Sequence, residues 1–360
     1  MSCDRKRPDE KSRTVTINNV EPRRDVAGEI IDAHDGCLQF FDGRFYLYGT
    51  AYGKTDGMTN NDFRVYSSPD LEHWVFEGAL LKERPDAFYY RPYVVFNPNT
   101  RKYVLWYNWY PNSKEWFGRH GAAVSDTPIG PFVIVNPDVH LSHSDTGDGS
   151  LFVDDDGTGY FIYTAMKEGY TVRVERLTPD YLASTGQASG ILAIGTEAPV
   201  LFRRNNIYYA LCGPRCAFCS EGSEVQVLTS TLPLGAYTSK PKANINRHPE
   251  NGTPVKSVPE LWAVTTSSTN GTLSPGPEDK IPMIIRSKNN PLISAQETWV
   301  ARIPTPGGPA FIWMADRWQS TPDGIKGHDF QYWSPPLRFE PDGDLMPIEN
   351  AGHWYISRAP

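Results

Sequence analysis

Three segments of this 360-residue chain share one plan: a carboxylate, an apolar strand, a polar turn, then a second strand rich in Tyr and Phe. They open at Asp35, Asp148 and Glu197 and run to Tyr46, Tyr160 and Tyr209. Strand pairs of this kind read at 38–41 with 45–48, 93–96 with 103–107, 151–153 with 160–163, 200–202 with 208–211, and 298–303 with 310–314. A related phrase closes successive units: Ser67-Ser-Pro-Asp-Leu-Glu-His-Trp74, Ser125-Asp-Thr-Pro-Ile-Gly-Pro-Phe132 and Thr229-Ser-Thr-Leu-Pro-Leu-Gly-Ala-Tyr237, with a looser version over 175–182. Regularly spaced strand signals and few helical periods define an all-β chain. Units starting at 35, 91, 148 and 197, roughly 50–57 residues apart, predict a five-bladed β-propeller with four-stranded antiparallel blades. A sandwich would not repeat the closing phrase.

In a propeller the first strand of each blade lines the central channel, so residues at its head converge on the axis. Asp35, Asp148 and Glu197 are therefore expected around one funnel, at equivalent blade positions. Converging carboxylates are what acid/base chemistry on a glycosidic bond requires. Residues 1–25 read as a disordered or loosely docked N-terminal arm, and 26–360 as a single propeller domain. A stretch at about 240–290, rich in Pro, Asn, Ser, Thr and Gly, reads as a long insertion before the last blade.

Composition narrows the partners. Apolar content of 39% with 12% aromatic residues indicates a folded chain, and most of the aromatics read as strand and core residues. A net charge of −7, with no basic stripe interleaved with aromatics, argues against nucleic acid and against an anionic membrane surface. No apolar stretch approaches the length of a membrane span. The opening residues are charged and lack an apolar h-region, so the protein acts inside the cell or this chain begins after a removed leader. Cys212, Cys216 and Cys219 cluster without a nearby fourth ligand, which favours a disulfide or buried thiols over zinc. Sequons stand at Asn251 and Asn270. Asp154-Asp-Asp-Gly157 reads as a hairpin turn and not as a metal site.

The segment Asp148-Gly-Ser-Leu-Phe-Val-Asp-Asp-Asp-Gly157 resembles the phrase around the central aspartate of glycoside hydrolase family 43, and the resemblance spans roughly residues 32–356. Glu197-Ala-Pro-Val-Leu-Phe202 with Tyr208-Tyr209 is similar to the strand that carries that family's general acid, and Asp35 stands where the family places its general base. The resemblance implies an inverting hydrolase in which Asp35 activates water, Glu197 protonates the leaving oxygen and Asp148 holds and tunes Glu197. Inverting chemistry needs two carboxyl groups about 6.5–9.5 Å apart, and a neighbouring acid keeps the donor protonated. Phe311-Ile-Trp-Met-Ala-Asp-Arg-Trp318, Tyr332-Trp-Ser-Pro-Pro-Leu-Arg-Phe339 and Ser294-Ala-Gln-Glu-Thr298 look most like the exo-β-1,3-galactanase branch. That branch has a glycine where Asp35 stands, and a Glu where Tyr90 precedes Arg91-Pro92.

The resemblance thus implies an exo-acting hydrolase of a plant-type oligo- or polysaccharide, of the galactan or arabinogalactan kind. The alternatives are an arabinofuranosidase or β-xylosidase of the same fold, or a non-catalytic carbohydrate-binding propeller. Candidate substrate contacts are Gln296, Trp109, Tyr90, Arg317 and Trp116. Asp316-Arg317 reads equally as an ion pair. No cofactor is expected to be required; the resemblance leaves room for a calcium in the central channel, near His34 and His328.

Overall fold

The computed structural model describes residues 14–54, 61–111, 118–143, 145–214, 225–239, 293 and 295–357. The 240–290 insertion, Trp116, Cys216, Cys219 and both sequons lie outside the described residues. Cys212 is a buried free thiol.

The described residues form five antiparallel blades and contain no α-helix. Blade I is β2 (His34–Phe41), β3 (Arg44–Ala51), β4 (Asp62–Ser68) and β5 (Val75–Ala79). Blade II is β6 (Ala87–Asn97), β7 (Lys102–Pro111), β8 (Arg119–Ser125) and β9 (Val133–Asn136). Blade III is β10 (Thr146–Val153), β11 (Gly159–Ala165), β12 (Thr171–Leu177) and β13 (Ser184–Ala188). Blade IV is β14 (Thr196–Arg204), β15 (Ile207–Pro214), β16 (Gln226–Ser230) and β17 (Thr238–Ser239). Blade V has three strands, not the expected four: β18 (Gln296–Ile303), β19 (Ala310–Arg317) and β20 (Phe330–Pro336). Pro335 and Pro336 end β20, because proline has no N–H to donate to a further ladder.

The chain then returns as β21 (His353–Ser357), which pairs with β1 (Thr14–Asn18). Residues 14–18, assigned to the arm from sequence, are thus a paired strand. Asn19 pins this ribbon to blade V: its amide donates to the carbonyls of Trp333 (2.8 Å) and Ala351 (2.9 Å), and its oxygen accepts from Trp333 N–H at 2.9 Å.

Local chemistry explains the hairpins. Asp42 and Gly43 both have positive φ (47° and 82°), the geometry of a two-residue turn that matches strand twist, and they join Phe41 to Arg44. Blade interiors are aromatic: Trp106, Trp313 and Trp333 are buried, and Trp106 donates its indole N–H to Tyr181 O at 2.7 Å, tying blade II to III. Trp299 does the same from blade V to Leu38 O at 3.1 Å. The inner strands touch in a closed ring, β2–β6–β10–β14–β18–β2.

Candidate active site

Every inner strand breaks register near its head: between His34 and Cys37, Tyr90 and Tyr93, Thr146 and Gly149, Glu197 and Val200, and Glu297 and Trp299. A bulge re-aims side chains, and five of them act on one axis. Asp35, Arg91 and Ala198 carry positive φ (49°, 54° and 55°). At Asp35 the following residue must be glycine, because a Cβ on Gly36 would lie 2.0 Å from Tyr48 O. The three acids are not quite equivalent. Glu197 pairs with Gly213 as His34 pairs with Thr50, so it stands one residue ahead of the position held by Asp35, and Ala198 fills that place in blade IV.

Asp35 is 4% exposed. Its Oδ1 accepts from Thr50 Oγ1 (2.6 Å) and Arg91 N (3.1 Å), and its Oδ2 from the Tyr52 hydroxyl (2.5 Å). Burial pushes this carboxyl up to about 6, against the pull of the Arg91 charge and the Thr50 and Tyr52 hydroxyls. Asp148, whose side chain is 22% exposed, is gripped by Arg91 through both oxygens, Nε–Oδ1 at 2.9 Å and Nη2–Oδ2 at 3.1 Å. Arg91 Nη1 also reaches Glu297 O at 3.3 Å, so one buried guanidinium spans blades II, III and V. Although burial opposes its charge, Asp148, Tyr93 and Asp35 hold Arg91 firmly protonated.

Glu197 accepts from Gln296 Nε2 at 3.2 Å, while Gln296 Oε1 accepts from Trp318 Nε1 at 2.8 Å. An indole N–H can only donate, so this contact fixes which end of the amide faces Glu197. The Lys326 ammonium covers the Trp318 ring at 3.8 Å and lies 5.6 Å from the Tyr52 ring. Tyr90 stands between Tyr52 and Tyr110, with ring centroids 6.4 and 5.7 Å away.

Asp35, Asp148, Glu197, Gln296 and Tyr90 are therefore brought together. Trp109 is engaged elsewhere: its N–H donates to Pro137 O at 2.8 Å and Arg119 lies over its ring. Arg317 sits opposite Phe330 on β19. Asp316 takes His34 as its buried ion-pair partner, at 3.1 Å, and its Oδ2 accepts from Asp35 N at 2.5 Å. Arg91, Glu297, Tyr52, Trp318 and Lys326 were not singled out from sequence. Arg91 and Glu297 could have been, since Arg91 holds the inner-strand position equivalent to Asp35 in blade II and Glu297 the position equivalent to Glu197 in blade V.

The residues near His34 do not fit a calcium ion, which takes oxygen ligands. Both ring nitrogens of His34 face acceptors, Asp316 Oδ1 and Gly327 O (3.2 Å), so the imidazole carries two protons. His328 is instead paired with Asp323 at 2.7 Å.

A five-bladed propeller with carboxylates, an arginine and an amide gathered at the heads of its inner strands belongs to the carbohydrate-active propellers. The profile of Glycosyl hydrolases family 43 matches residues 32–260, and the chain belongs to that family. It is 26% identical over 258 residues to an arabinoxylan arabinofuranohydrolase of Paenibacillus polymyxa, covering 56% of this chain and 38% of that protein. It is 29% identical over 149 residues to xylosidase/arabinosidase 43A of Humicola insolens, covering 38% of this chain and 44% of that protein. The chain thus spans less than half the length of these two curated relatives. Among solved structures, an exo-β-1,3-galactanase from Clostridium thermocellum superimposes with a TM-score of 0.70 at 22% identity, over 95% of this chain and 67% of that one. The exo-β-1,3-galactanase of Phanerochaete chrysosporium bound to β-1,3-galactotriose gives 0.68 at 18% identity, over 96% of this chain and 71% of that one.

Proposed function

We propose that this protein is an inverting, exo-acting glycoside hydrolase of a plant-type polysaccharide, with Glu197 as general acid, Asp35 as general base and Asp148 as the residue that orients the acid. The observation that carries this reading is the division of environments among the three acids. Asp35 is buried and wrapped by donors that favour its ionised form, as a base requires. Asp148 is gripped by Arg91 through both of its oxygens. Glu197 is partly exposed, and its contact with Gln296 orients it. In the reaction Glu197 gives its proton to the leaving oxygen as water attacks the anomeric carbon from the opposite face, and the water's proton passes to Asp35.

A β-1,3-linked galactan is the favoured substrate, supported by the structural likeness to exo-β-1,3-galactanases across nearly the whole chain. A second reading, release of arabinofuranosyl side chains, is supported by the sequence relatives and by Asp35 standing where the galactanase branch has glycine. Glu197→Gln should lose turnover by at least about 10²-fold while keeping the fold and sugar binding. NMR of the first-formed anomer on β-1,3-galactobiose and on an arabinofuranosyl xylo-oligosaccharide tests stereochemistry and substrate together. Retained turnover in Glu197→Gln, or a retained anomeric configuration, would overturn the reading.

A further inference from the structure

Lys326 stands in the funnel wall, and the proposed reaction gives it no task. The connection that carries it, between β19 and β20, crosses from blade V onto blade I and is tied down along its length. Asp329 accepts from the backbone N–H groups of Gln319 (2.9 Å), Ser320 (2.9 Å) and Thr321 (3.2 Å). Gly327 N donates to Gly53 O at 2.9 Å, and Gly327 O faces His34 Nε2 at 3.2 Å. The seat is tight: a Cβ on Gly327 would lie 2.5 Å from Asp32 Oδ2 and 2.7 Å from Gly53 N. With the backbone so fixed, the Lys326 ammonium rests over two rings, 3.8 Å from the centroid of Trp318 and 5.6 Å from that of Tyr52. These are the rings whose polar ends serve the proposed acid and base. Trp318 N–H donates to Gln296, which bonds Glu197, and the Tyr52 hydroxyl donates to Asp35. Each ring is 2% exposed whereas Lys326 is half-buried, so the lysine is the outer layer of this wall.

We infer that Lys326 is a specificity-determining residue, which donates a hydrogen bond to a hydroxyl of the neutral sugar whose glycosidic bond is cleaved. This deepens the reading of the funnel as a glycosidase site and rests on it. A sugar seated between acid and base lies alongside the span from Gln296 to Tyr52, and the ammonium stands over that span. An ammonium has three donors and no acceptor, so it can rest on a ring face and still donate to a ligand. The surrounding acids decide between a hydroxyl and an anionic sugar. Asp329, Asp316 and Asp35 all act on Lys326. Asp316 is offset by His34, but a sugar carboxylate drawn to the one ammonium would still meet the charges of Asp35 and Asp329, whereas a hydroxyl would not be repelled. Burial lowers the ammonium to about 8, against the pull of the three acids, so it keeps its charge at neutral pH.

Lys326→Met keeps an unbranched stem on the Trp318 ring and removes the donors; Lys326→Gln supplies the same comparison should that variant not fold. Binding is read by NMR titration in the Glu197→Gln background, where no turnover is needed. The ligands are methyl β-galactopyranoside, methyl α-arabinofuranoside and the monodeoxy derivatives of each. Lys326→Met should weaken binding of the parent sugar by about 10-fold or more, the worth of a hydrogen bond to a charged group. One deoxy derivative should lose a similar factor when Lys326 is present and little in Lys326→Met, while the others lose equal factors in both proteins. If every derivative loses the same factor in both, Lys326 touches no hydroxyl of that sugar and the inference is overturned, whatever happens to Tm. A funnel that binds neither parent sugar would overturn it too. Turnover retained by Glu197→Gln would instead sink the catalytic assignment and leave the binding comparison intact, so the two failures are distinguishable.

Discussion

Asp35 shows how one residue's surroundings bear on the role proposed for it. A base must be ionised, and a buried aspartate resists ionisation unless donors hold its charge. Thr50 and Tyr52 hydroxyls and the Arg91 N–H supply three, and the balance leaves the group at about 6. Activity that depends on ionised Asp35 should therefore rise with pH through about 6. Tyr52→Phe removes one donor to the charged form without emptying the pocket. With fewer donors the carboxylate is less stabilised, so its pKa goes up and the acidic limb of kcat/KM moves to higher pH, by up to about one unit. A pH–rate profile of the variant against wild type checks this. A limb that stays in place would mean that Asp35 is not the group that must be ionised.

Strands and their bulges account for what could and could not be read from the sequence. The hairpins were legible because alternation and turn chemistry are local: Asp42-Gly43 announces its turn within two residues. The β1–β21 ribbon was not, because its partners lie at opposite ends of the chain and neither strand carries a local sign of the other. At the site, Asp35 and Asp148 stood out as acids ahead of hairpins. Arg91 passed as part of Tyr90-Arg91-Pro92, because its task depends on a bulge that turns it onto Asp148 in the next blade. Likewise the three acids looked equivalent until register placed Glu197 one residue ahead of the position of Asp35 and Asp148 one residue behind it. The ribbon itself invites a test. Asn19→Ala would leave Trp333 N–H and the carbonyls of Trp333 and Ala351 without their amide partner in a buried seam. The expected loss is about 2–4 kcal/mol, read by urea denaturation. The inner-strand heads are untouched, so turnover by the remaining folded protein should be unchanged; a wild-type denaturation midpoint would show that the ribbon does not hold blade V.

The molecule as a whole is a ring, and a ring of blades is only as secure as the seam where its last blade meets its first. Buried contacts close that seam between blades V and I, among them the Asp35 N–H donated to Asp316. Trp299 donates to Leu38 O, Gln331 to Ala33 O at 2.6 Å, and His34 pairs with Asp316. The histidine makes closure sensitive to pH. Burial alone would lower its pKa, but the charge and hydrogen bond of Asp316, with help from Asp32 and Gly327 O, lift it to about 9. The folded state therefore binds this proton more tightly than the unfolded chain, where a histidine titrates near ~6.5. The stabilisation is complete below that value and is lost as pH rises through about 9. It amounts to about 3 kcal/mol if the seam opens only on unfolding. Urea denaturation at pH 6.5 and again above 9 should show that decline in wild type, and His34→Gln, which cannot titrate, should flatten it. Equal slopes for the two proteins would remove His34 from the account of closure. The same proton bears on catalysis. Asp316 uses one oxygen for His34 and the other for the backbone N–H of Asp35, so deprotonation of His34 removes a paired positive charge from the carboxylate that holds the proposed base. Ring closure and the proposed water-activating residue are thus joined through a single aspartate.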